Sequence, residues 1–228
     1  MKKVIFLVYS LGIGGVEKAL LGVIDEFINN GYEVHIALMR KEGPLLEYLP
    51  TCVKLHQVIG YEEVLNLLHN PLRPLIKASF LKFKFKLCLI LFKCYLSQKF
   101  KKSSVSLYKY GFKAIPKCIH EQFDLAVAFA GPDSFIDYYV DQRISSKDKW
   151  GWIHFDITKF GCDEGITKYV YRHFSQINIV SKEAKEKFDY KFPEFSSKTL
   201  YKPNRVDAKA IIKLSNEDIF IPNVGNKK

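Results

Sequence analysis

The chain has little glycine and proline and few cysteines. Its 228 residues include 13 Gly, 9 Pro and 5 Cys, whereas 48% are hydrophobic and 14% aromatic. These proportions exclude collagen-like, low-complexity and generally disordered chains, and the length is sufficient to bury a sizeable core. The cysteines are odd in number and lack C-x-x-C or Cys/His spacing, so they indicate reduced thiols in a cytoplasmic protein rather than a zinc site.

Acidic residues and long apolar runs are both missing from one segment. Positions 64–120 hold twelve Lys and Arg and no Asp or Glu, while the rest of the chain holds 23 basic and 24 acidic residues. The longest uninterrupted apolar run of this segment is 87–92, against the ~20 residues needed to span a bilayer. The formal charge of +11 therefore belongs to one basic insert within a nearly neutral frame, and no spanning helix is predicted there.

The remaining sequence alternates between apolar β-rich runs and helical patterns. A strand at 4–9, a helix at 16–30 and a strand at 32–39 form a βαβ unit, whose crossover should be right-handed. This repeated alternation predicts an α/β fold with a Rossmann-like, doubly wound parallel sheet. Further strands are predicted at 53–58, 124–130, 149–154 and 176–181, and helices at 166–174 and 182–188.

A glycine-rich turn, Gly12 to Glu17, separates the first predicted strand from the first helix. Glycines there let the backbone approach a ligand, and the free amides of the helix start favour an anion. The dinucleotide fingerprint is incomplete because Glu17 stands where its third glycine would be, and Arg40 follows the second strand instead of an acid. Since Arg40 could favour a 2′-phosphate, an NADP-type oxidoreductase is a minor alternative. A purely structural turn, with Glu17 complementing the helix dipole, is another.

Four short segments occur in an order known from one enzyme family. Gly14-Gly15-Val16-Glu17 resembles the G-G-x-E loop that opens glycosyltransferase family 4 enzymes, and 152–156 is similar to their W-x-H-x-D stretch. The segment 179–182 resembles a strand ending in V-S, and 204–207 resembles the N-x-[VI]-D turn that leaves the first domain. The chain thus resembles the N-terminal, acceptor-binding domain of these enzymes.

The resemblance implies a GT-B-type enzyme of two facing Rossmann-like domains that transfers sugar with retention from a nucleotide sugar. The nucleotide sugar is a co-substrate, and neither a bound cofactor nor a metal is implied. His154 would be catalytic and would support charge on the donor sugar. Residues that would bind the donor or substrate are Gly14, Gly15, Glu17 and Asp156.

The resemblance also implies that the second domain is missing. We expect the acceptor-binding domain at 1–207 and the start of a linker to the absent donor domain at 208–228. Such a chain is a truncated reading frame or half of a split enzyme completed by a separate donor-binding chain. We expect it to transfer sugar negligibly alone. The competing hypotheses are a non-catalytic, membrane-docked binding module and an inert gene remnant.

The basic insert interleaves Lys with Phe and Leu, notably at 72–102, which is typical of a segment lying on an anionic membrane. With the resemblance, this predicts a peripheral protein on the inner face of the plasma membrane. It would act on a lipid-linked saccharide acceptor in bacterial-type surface or capsular polysaccharide synthesis. An alternative is a pair of ordinary helices with aromatics in the core. RNA binding is a minor third hypothesis, and nucleic acid is not the expected partner, because no RNA-binding motif accompanies the lysines. The predicted membrane contacts are Lys82, Phe83, Lys84, Phe85, Lys86 and Lys93.

Overall fold

The computed structural model describes residues 1–132 and 134–204 and contains one parallel β-sheet covered by helices on both faces. Seven strands pair in the order β3-β2-β1-β4-β5-β6-β7, all parallel to their neighbours. This order confirms the predicted Rossmann-like α/β class. The strands are β1 (Lys3–Val8), β2 (Glu33–Leu38), β3 (Lys54–Gln57), β4 (Gln122–Gly131), β5 (Ser145–Ile153), β6 (Gln176–Ile179) and β7 (Thr199–Tyr201).

Helices connect successive strands, and short 3-10 helices lie at 44–48, 112–114 and 193–198. Four helices, α2 to α5, lie between edge strand β3 and β4 and correspond to the basic insert. The α-helices are α1 (Gly15–Asn29), α2 (Tyr61–His69), α3 (Leu72–Leu81), α4 (Phe85–Lys101), α5 (Val105–Gly111), α6 (Ser134–Arg143), α7 (Ile157–Phe160), α8 (Glu164–Tyr171) and α9 (Lys182–Lys191).

Strand β1 shows why the sheet is buried on both faces. Its side chains alternate, so that Val4, Phe6 and Val8 belong to the core under α1 while Ile5 and Leu7 belong to the opposite core. Helix α1 covers the first face with apolar residues at helical spacing. Its buried residues are Ala19, Leu20, Val23, Ile24 and Phe27.

The order in which successive strands join the sheet changes direction at β1. Strand β1 pairs with β2 on one side and with β4 on the other. In open parallel sheets, the loops at the carboxyl ends of the strands beside such a switch point form a crevice suited to ligands. Here those loops are the glycine turn after β1 and the segment after β4. His154 follows β5, the strand next to β4, so it lies at the same edge of the sheet as the glycine turn, with one strand between β1 and β5.

The insert forms a small helical layer with its own core rather than an extension of the sheet. Helices α3 and α4 form an antiparallel hairpin, and buried residues of α3, α4 and α5 make a cluster separate from the two main cores. The layer runs from Tyr61, at the start of α2, to Gly111, at the end of α5, and the predicted insert was 64–120. No described helix is both long enough and apolar enough to cross a membrane. The cluster consists of Leu72, Leu91, Cys94 and Leu107.

Several element boundaries differ from the sequence-based predictions. Strand β5 begins at Ser145, before the predicted 149, because its polar first residues continue the backbone pairing with β4. Helix α6 and strand β7 were not predicted. The domain boundary at 207/208 and the segment 205–207 lie outside the described residues.

Candidate functional site

The glycine turn follows β1 and leads directly into α1. Gly14 is the N-cap of the helix, with extended backbone angles (φ −103°, ψ 169°), and Gly15 is its first residue. A Cβ atom placed on Gly12 or Gly15 would meet no described heavy atom within 4 Å. Neither a left-handed backbone nor packing within the chain requires a glycine at these two positions. Within the described residues, the space beside Gly12 and Gly15 would admit a group that approaches the backbone.

Glu17 lies against this turn. A Cβ atom on Gly14 would overlap the Glu17 carboxylate oxygen Oε2, so the carboxylate folds back over the N-cap glycine. An acid in the first turn of a helix is stabilised by the positive end of the helix dipole. Glu17 therefore has a structural role in this conformation, and its predicted role in donor binding stays a prediction.

The loop after β2 forms backbone hydrogen bonds with Leu11, the residue directly before the glycine turn. The Leu11 amide donates to the Glu42 carbonyl (2.9 Å), and the Leu45 amide donates to the Leu11 carbonyl (3.0 Å). Gly43 has a φ of 118°, and a Cβ there would overlap the backbone carbonyl of Leu11. Gly43 is thus required by both conformation and close approach, and sequence reasoning missed its role. The Gly43-Pro44 dipeptide signals a turn, but nothing local shows which loop that turn contacts.

His154 follows β5 and lies against Phe129 of β4, with 4.7 Å between ring centroids. Phe129 belongs to the core under α1, so His154 lies on the face of the sheet that carries the glycine turn. Both ring nitrogens are buried, and neither makes a hydrogen bond of normal geometry with the described residues. Burial lowers the pKa of His154 to about 4, although the nearby backbone of Phe129 opposes part of the shift.

This lowered pKa makes His154 a neutral imidazole at pH 7, at the carboxyl edge of the sheet, with no side-chain hydrogen-bond partner among residues 1–132 and 134–204. Buried polar groups without partners are rare, and each calls for an explanation such as a role in binding or catalysis.

Asp156 is already engaged by residues of the chain. Its Oδ1 accepts from the Thr158 amide (2.8 Å) and hydroxyl (2.7 Å), which caps α7, and its Oδ2 lies 2.7 Å from Lys187 Nζ on α9. Hydrogen bonds from Lys187 and then Thr158 hold the pKa of Asp156 far below its usual range. These contacts describe a cap and an ion pair. The expected contact between Asp156 and substrate stays a prediction.

Arg40, the residue behind the NADP alternative, is also engaged. Its Nε donates to Glu62 Oε1 (2.6 Å), and its guanidinium lies over the Tyr61 ring at 5.7 Å. The hydrogen bond to Glu62 raises the pKa of Arg40. Since the guanidinium already has a carboxylate partner, the case for a 2′-phosphate at this position is weaker.

The predicted membrane contacts lie at the tip of the α3–α4 hairpin and along α4. Every residue from Phe80 to Lys86 is exposed, as is Lys93. The exposed fraction is 80% for Phe83 and 57% for Phe85. The Phe85 ring lies 5.8 Å from that of Phe80 and 6.1 Å from that of Phe83. The hairpin tip is therefore a solvent-exposed aromatic cluster surrounded by lysines.

The backbone of the tip is a helix-terminating motif with an unusual residue. The Lys84 amide donates to the Ser79 carbonyl (2.9 Å), and the Phe83 amide donates to the Phe80 carbonyl (3.0 Å). This is the Schellman pattern, in which glycine usually takes the left-handed position after the helix. Here Phe83 takes it, with a φ of 54°.

Comparison with known proteins shows a structural likeness. No protein-family model and no curated protein sequence matches the chain. The chain is similar to the crystal structure of Anabaena Alr3699/HepE in complex with UDP-glucose, with a TM-score of 0.51 and 12% sequence identity. The match covers 94% of this chain and 49% of that one, so the chain spans about half the length of its neighbour. At this identity the likeness shows a shared fold, that of a protein whose structure holds a nucleotide sugar.

Proposed function

We propose that this chain supplies the acceptor-binding half of a retaining, nucleotide-sugar-dependent glycosyltransferase of bacterial-type surface or capsular polysaccharide synthesis. The observation that carries the proposal is the shared position of the glycine turn and His154 at the carboxyl edge of a Rossmann-like sheet. Open space in front of Gly12 and Gly15 suits an anionic group held by the amides of α1. The neighbouring structure with UDP-glucose, a sugar on a diphosphate, has the same fold over nearly all of this chain.

In this proposal, the backbone at Gly14 and Gly15 approaches the donor phosphates or the reacting sugar, while His154 approaches the sugar from the end of β5. A neutral imidazole can donate one hydrogen bond and accept another, so it can support charge that develops on the sugar in the transition state. The chain spans about half the length of its neighbour, and in this proposal a donor-binding domain or chain supplies the other half of the site.

The acceptor side of the proposal rests on the hairpin tip. A contiguous patch of exposed phenylalanines marks a surface that contacts something apolar, such as a membrane. The surrounding lysines favour an anionic membrane surface over a neutral one. A groove of about 630 Å³ beside the tip is lined by both kinds of side chain, which suits a lipid whose headgroup carries a phosphate. We infer that the tip holds the protein on the inner leaflet, where a lipid-linked saccharide is presented. The lining residues are Phe83, Lys84, Phe85, Lys86, Leu87, Ile90 and Tyr110.

Sugar transfer is tested by combining the chain with a donor-binding domain. The adjacent reading frame, if it encodes a donor-binding domain, is expressed with the chain, and label from UDP-glucose or other nucleotide sugars is followed into a lipid-phosphate-linked saccharide in vesicles. We expect transfer from the combination and negligible transfer from the chain alone. His154→Ala and Gly15→Leu should reduce transfer at least a hundredfold, whereas His120→Ala, a change at an exposed histidine, should not.

Efficient turnover by the chain alone would contradict the half-enzyme hypothesis. Undiminished transfer by His154→Ala would contradict the assignment of the site. If no donor domain is encoded nearby, the alternative of a membrane-docked binding module or gene remnant is favoured, and the vesicle experiment below distinguishes those two.

Membrane docking is tested by sedimentation with vesicles of phosphatidylglycerol and of phosphatidylcholine. We expect binding to the anionic vesicles alone. Each lysine near an anionic surface contributes about 1 kcal/mol, so a triple Lys→Gln change at 82, 84 and 86 should weaken binding by roughly a hundredfold. The same change at Lys18, Lys41 and Lys159, which are exposed but outside the insert, should have a much smaller effect.

The contribution of the aromatic rings to vesicle binding is tested with a matched pair of variants. Phe85→Ser removes an exposed ring at the tip, while Tyr190→Ser removes one on α9 that is 91% exposed. Only the first change should weaken vesicle binding. Equal recovery of the unmodified protein in both supernatants would contradict the membrane proposal, and preferential binding to RNA over vesicles would favour nucleic acid as the partner.

A further inference from the structure

Three side chains from separate parts of the sequence meet near the amino-terminal half of the sheet. His35 lies on β2, His56 on the edge strand β3, and Glu121 directly before β4. His35 Nδ1 is 2.8 Å from His56 Nε2, and His56 Nε2 is 3.8 Å from Glu121 Oε2. One ligand atom from each residue lies within 4.8 Å of the others. The group is distant in the fold from the glycine turn, which follows the carboxyl ends of the strands.

The orientation of His35 is fixed by a carboxylate behind it. His35 Nε2 lies 2.9 Å from Glu33 Oε1, which also lies 2.6 Å from Lys54 Nζ. The Glu33 carboxylate thus accepts from both Lys54 and His35. With His35 Nε2 donating to this carboxylate, Nδ1 is the ring nitrogen that faces His56 and can offer a lone pair. Metal-binding histidines are held in this way, with the other ring N–H donating to a carboxylate or a carbonyl.

The surroundings leave room for the group to adjust. His35 is fully buried, with its ring 4.9 Å from that of Phe123, so it is a rigid anchor. The side chains of His56 and Glu121 are 18% and 45% exposed, respectively, so they can shift and admit a water molecule. The Glu121 carboxylate is too far from His56 Nε2 for a hydrogen bond. It is near enough to offset the charge of a cation bound between the two histidines.

We propose that His35, His56 and Glu121 bind a divalent metal ion of the zinc class through His35 Nδ1, His56 Nε2 and a Glu121 carboxylate oxygen. Two imidazoles and one carboxylate form a ligand set suited to Zn²⁺, with a fourth position open to water. Bonds of about 2.0–2.1 Å place tetrahedral ligand atoms about 3.3 Å apart, so the two histidines separate by roughly 0.5 Å and Glu121 moves inward.

Binding requires one rearrangement of a proton. In the ion-free conformation, His56 Nε2 donates to the lone pair of His35 Nδ1. When the ion binds, this proton moves to His56 Nδ1 through solvent, and both facing nitrogens donate their lone pairs to the metal. The ion then links β2, the short edge strand β3 and the start of β4. Its role is to hold the sheet edge, and it takes no part in the sugar transfer proposed above, for which the family resemblance implies no metal.

The test is a calorimetric titration of the reduced, chelator-treated chain with Zn²⁺. We expect one saturable site, and we expect His56→Gln and Glu121→Gln each to weaken binding at least tenfold. His120→Gln is the matched control, because His120 is exposed and adjacent to Glu121 but outside the group. Zn²⁺ should also raise the melting temperature of the unmodified chain and of His120→Gln, but not that of His56→Gln.

Circular dichroism checks that the variants fold; both positions are partly exposed, so the sheet should form without them. The five free cysteines could also hold zinc. Binding through them would leave the affinity of His56→Gln unchanged, which would overturn the proposal, as would the absence of saturable binding.

Discussion

Lys187 Nζ lies 2.7 Å from Asp156 Oδ2 and thereby joins helix α9 to the N-terminus of α7, next to the candidate site. The same ammonium group also contacts Glu183 Oε1 at 2.6 Å, within α9. This arrangement holds the W-x-H-x-D segment against the helix that follows β6. It relates the position of His154, two residues before Asp156, to packing outside the site.

Breaking this link should destabilise the chain in a pH-dependent way. The pKa of Asp156 is lowered in the folded chain, so its contribution is present above the ordinary carboxyl pKa and is lost as the pH falls below it. We expect Asp156→Asn and Lys187→Met each to lower the melting temperature by a few degrees at pH 7, with a smaller difference from the unmodified chain at pH 3. Glu183→Gln, which removes only the partner within α9, is the control and should have a smaller effect at pH 7.

The glycines near the site should differ in what they contribute to stability. Gly43 has a φ of 118° and no room for a Cβ beside Leu11, so Gly43→Ala should cost about 2–4 kcal/mol of unfolding free energy. Gly15 is the first residue of α1 with open space around it, so Gly15→Ala should be neutral or stabilising by up to about 1 kcal/mol. Urea denaturation of both variants measures the difference.

A large loss of stability in Gly15→Ala would show that the chain itself requires this glycine. The argument that its space serves a ligand would then fail.

The parts of the fold that sequence predicted are those with a strong local pattern. The unit β1–α1–β2 was placed within one residue at most boundaries, because buried strands and an amphipathic helix have clear periodicities. Helix α6 was missed because residues 135–141 are buried on all sides, so no polar face reveals a helical period. Strand β7 has three residues and is defined by its pairing with β6 rather than by its own composition.

The candidate site also has parts that the sequence predicts and parts that it does not. The glycine turn and His154 could be placed because they follow strands, and parallel topology gathers strand ends at one edge. The contacts of Gly43 with Leu11, Lys187 with Asp156 and Glu62 with Arg40 join segments that are distant in sequence, which periodicity does not reveal. The same applies to the group of His35, His56 and Glu121.

The buried imidazole of His154 should make unfolding sensitive to mild acid. Its pKa is about 4 in the folded chain and about 6.5 when unfolded, so the unfolded chain binds a proton first as the pH falls. The stability is complete above about pH 6.5 and declines towards pH 4, by on the order of 2–3 kcal/mol from this group. Chemical denaturation at pH 7.5 and pH 5 should show this decline, and His154→Gln should reduce it.

His120→Gln is the matched control, because His120 is exposed and should leave the decline in stability unchanged. If His154→Gln retained the full pH dependence, His154 would be solvated in the folded chain, and its status as a buried, unpartnered group would be wrong.

On the proposed membrane docking, one residue of the hairpin tip, Phe83, affects chain stability and vesicle binding in opposite directions. Phe83 occupies the left-handed position of a Schellman motif, which glycine adopts without a steric penalty. Its side chain is 80% exposed and gains little from packing, so Phe83→Gly should stabilise the chain by up to about 1 kcal/mol. The same change removes the most exposed ring of the tip and should weaken binding to anionic vesicles several-fold.

Lys102 provides the comparison, because it ends α4 in the same left-handed conformation with a φ of 47° but lies outside the aromatic cluster. Lys102→Gly should give a similar gain in stability with a smaller loss of vesicle binding, since one of twelve basic residues of the insert is removed and no ring is. If Phe83 lowers stability and serves docking, Phe83→Gly must both stabilise the chain and weaken vesicle binding. If Phe83→Gly gained stability and bound vesicles as well as the unmodified chain, the tip would not be the part of the insert that meets the membrane.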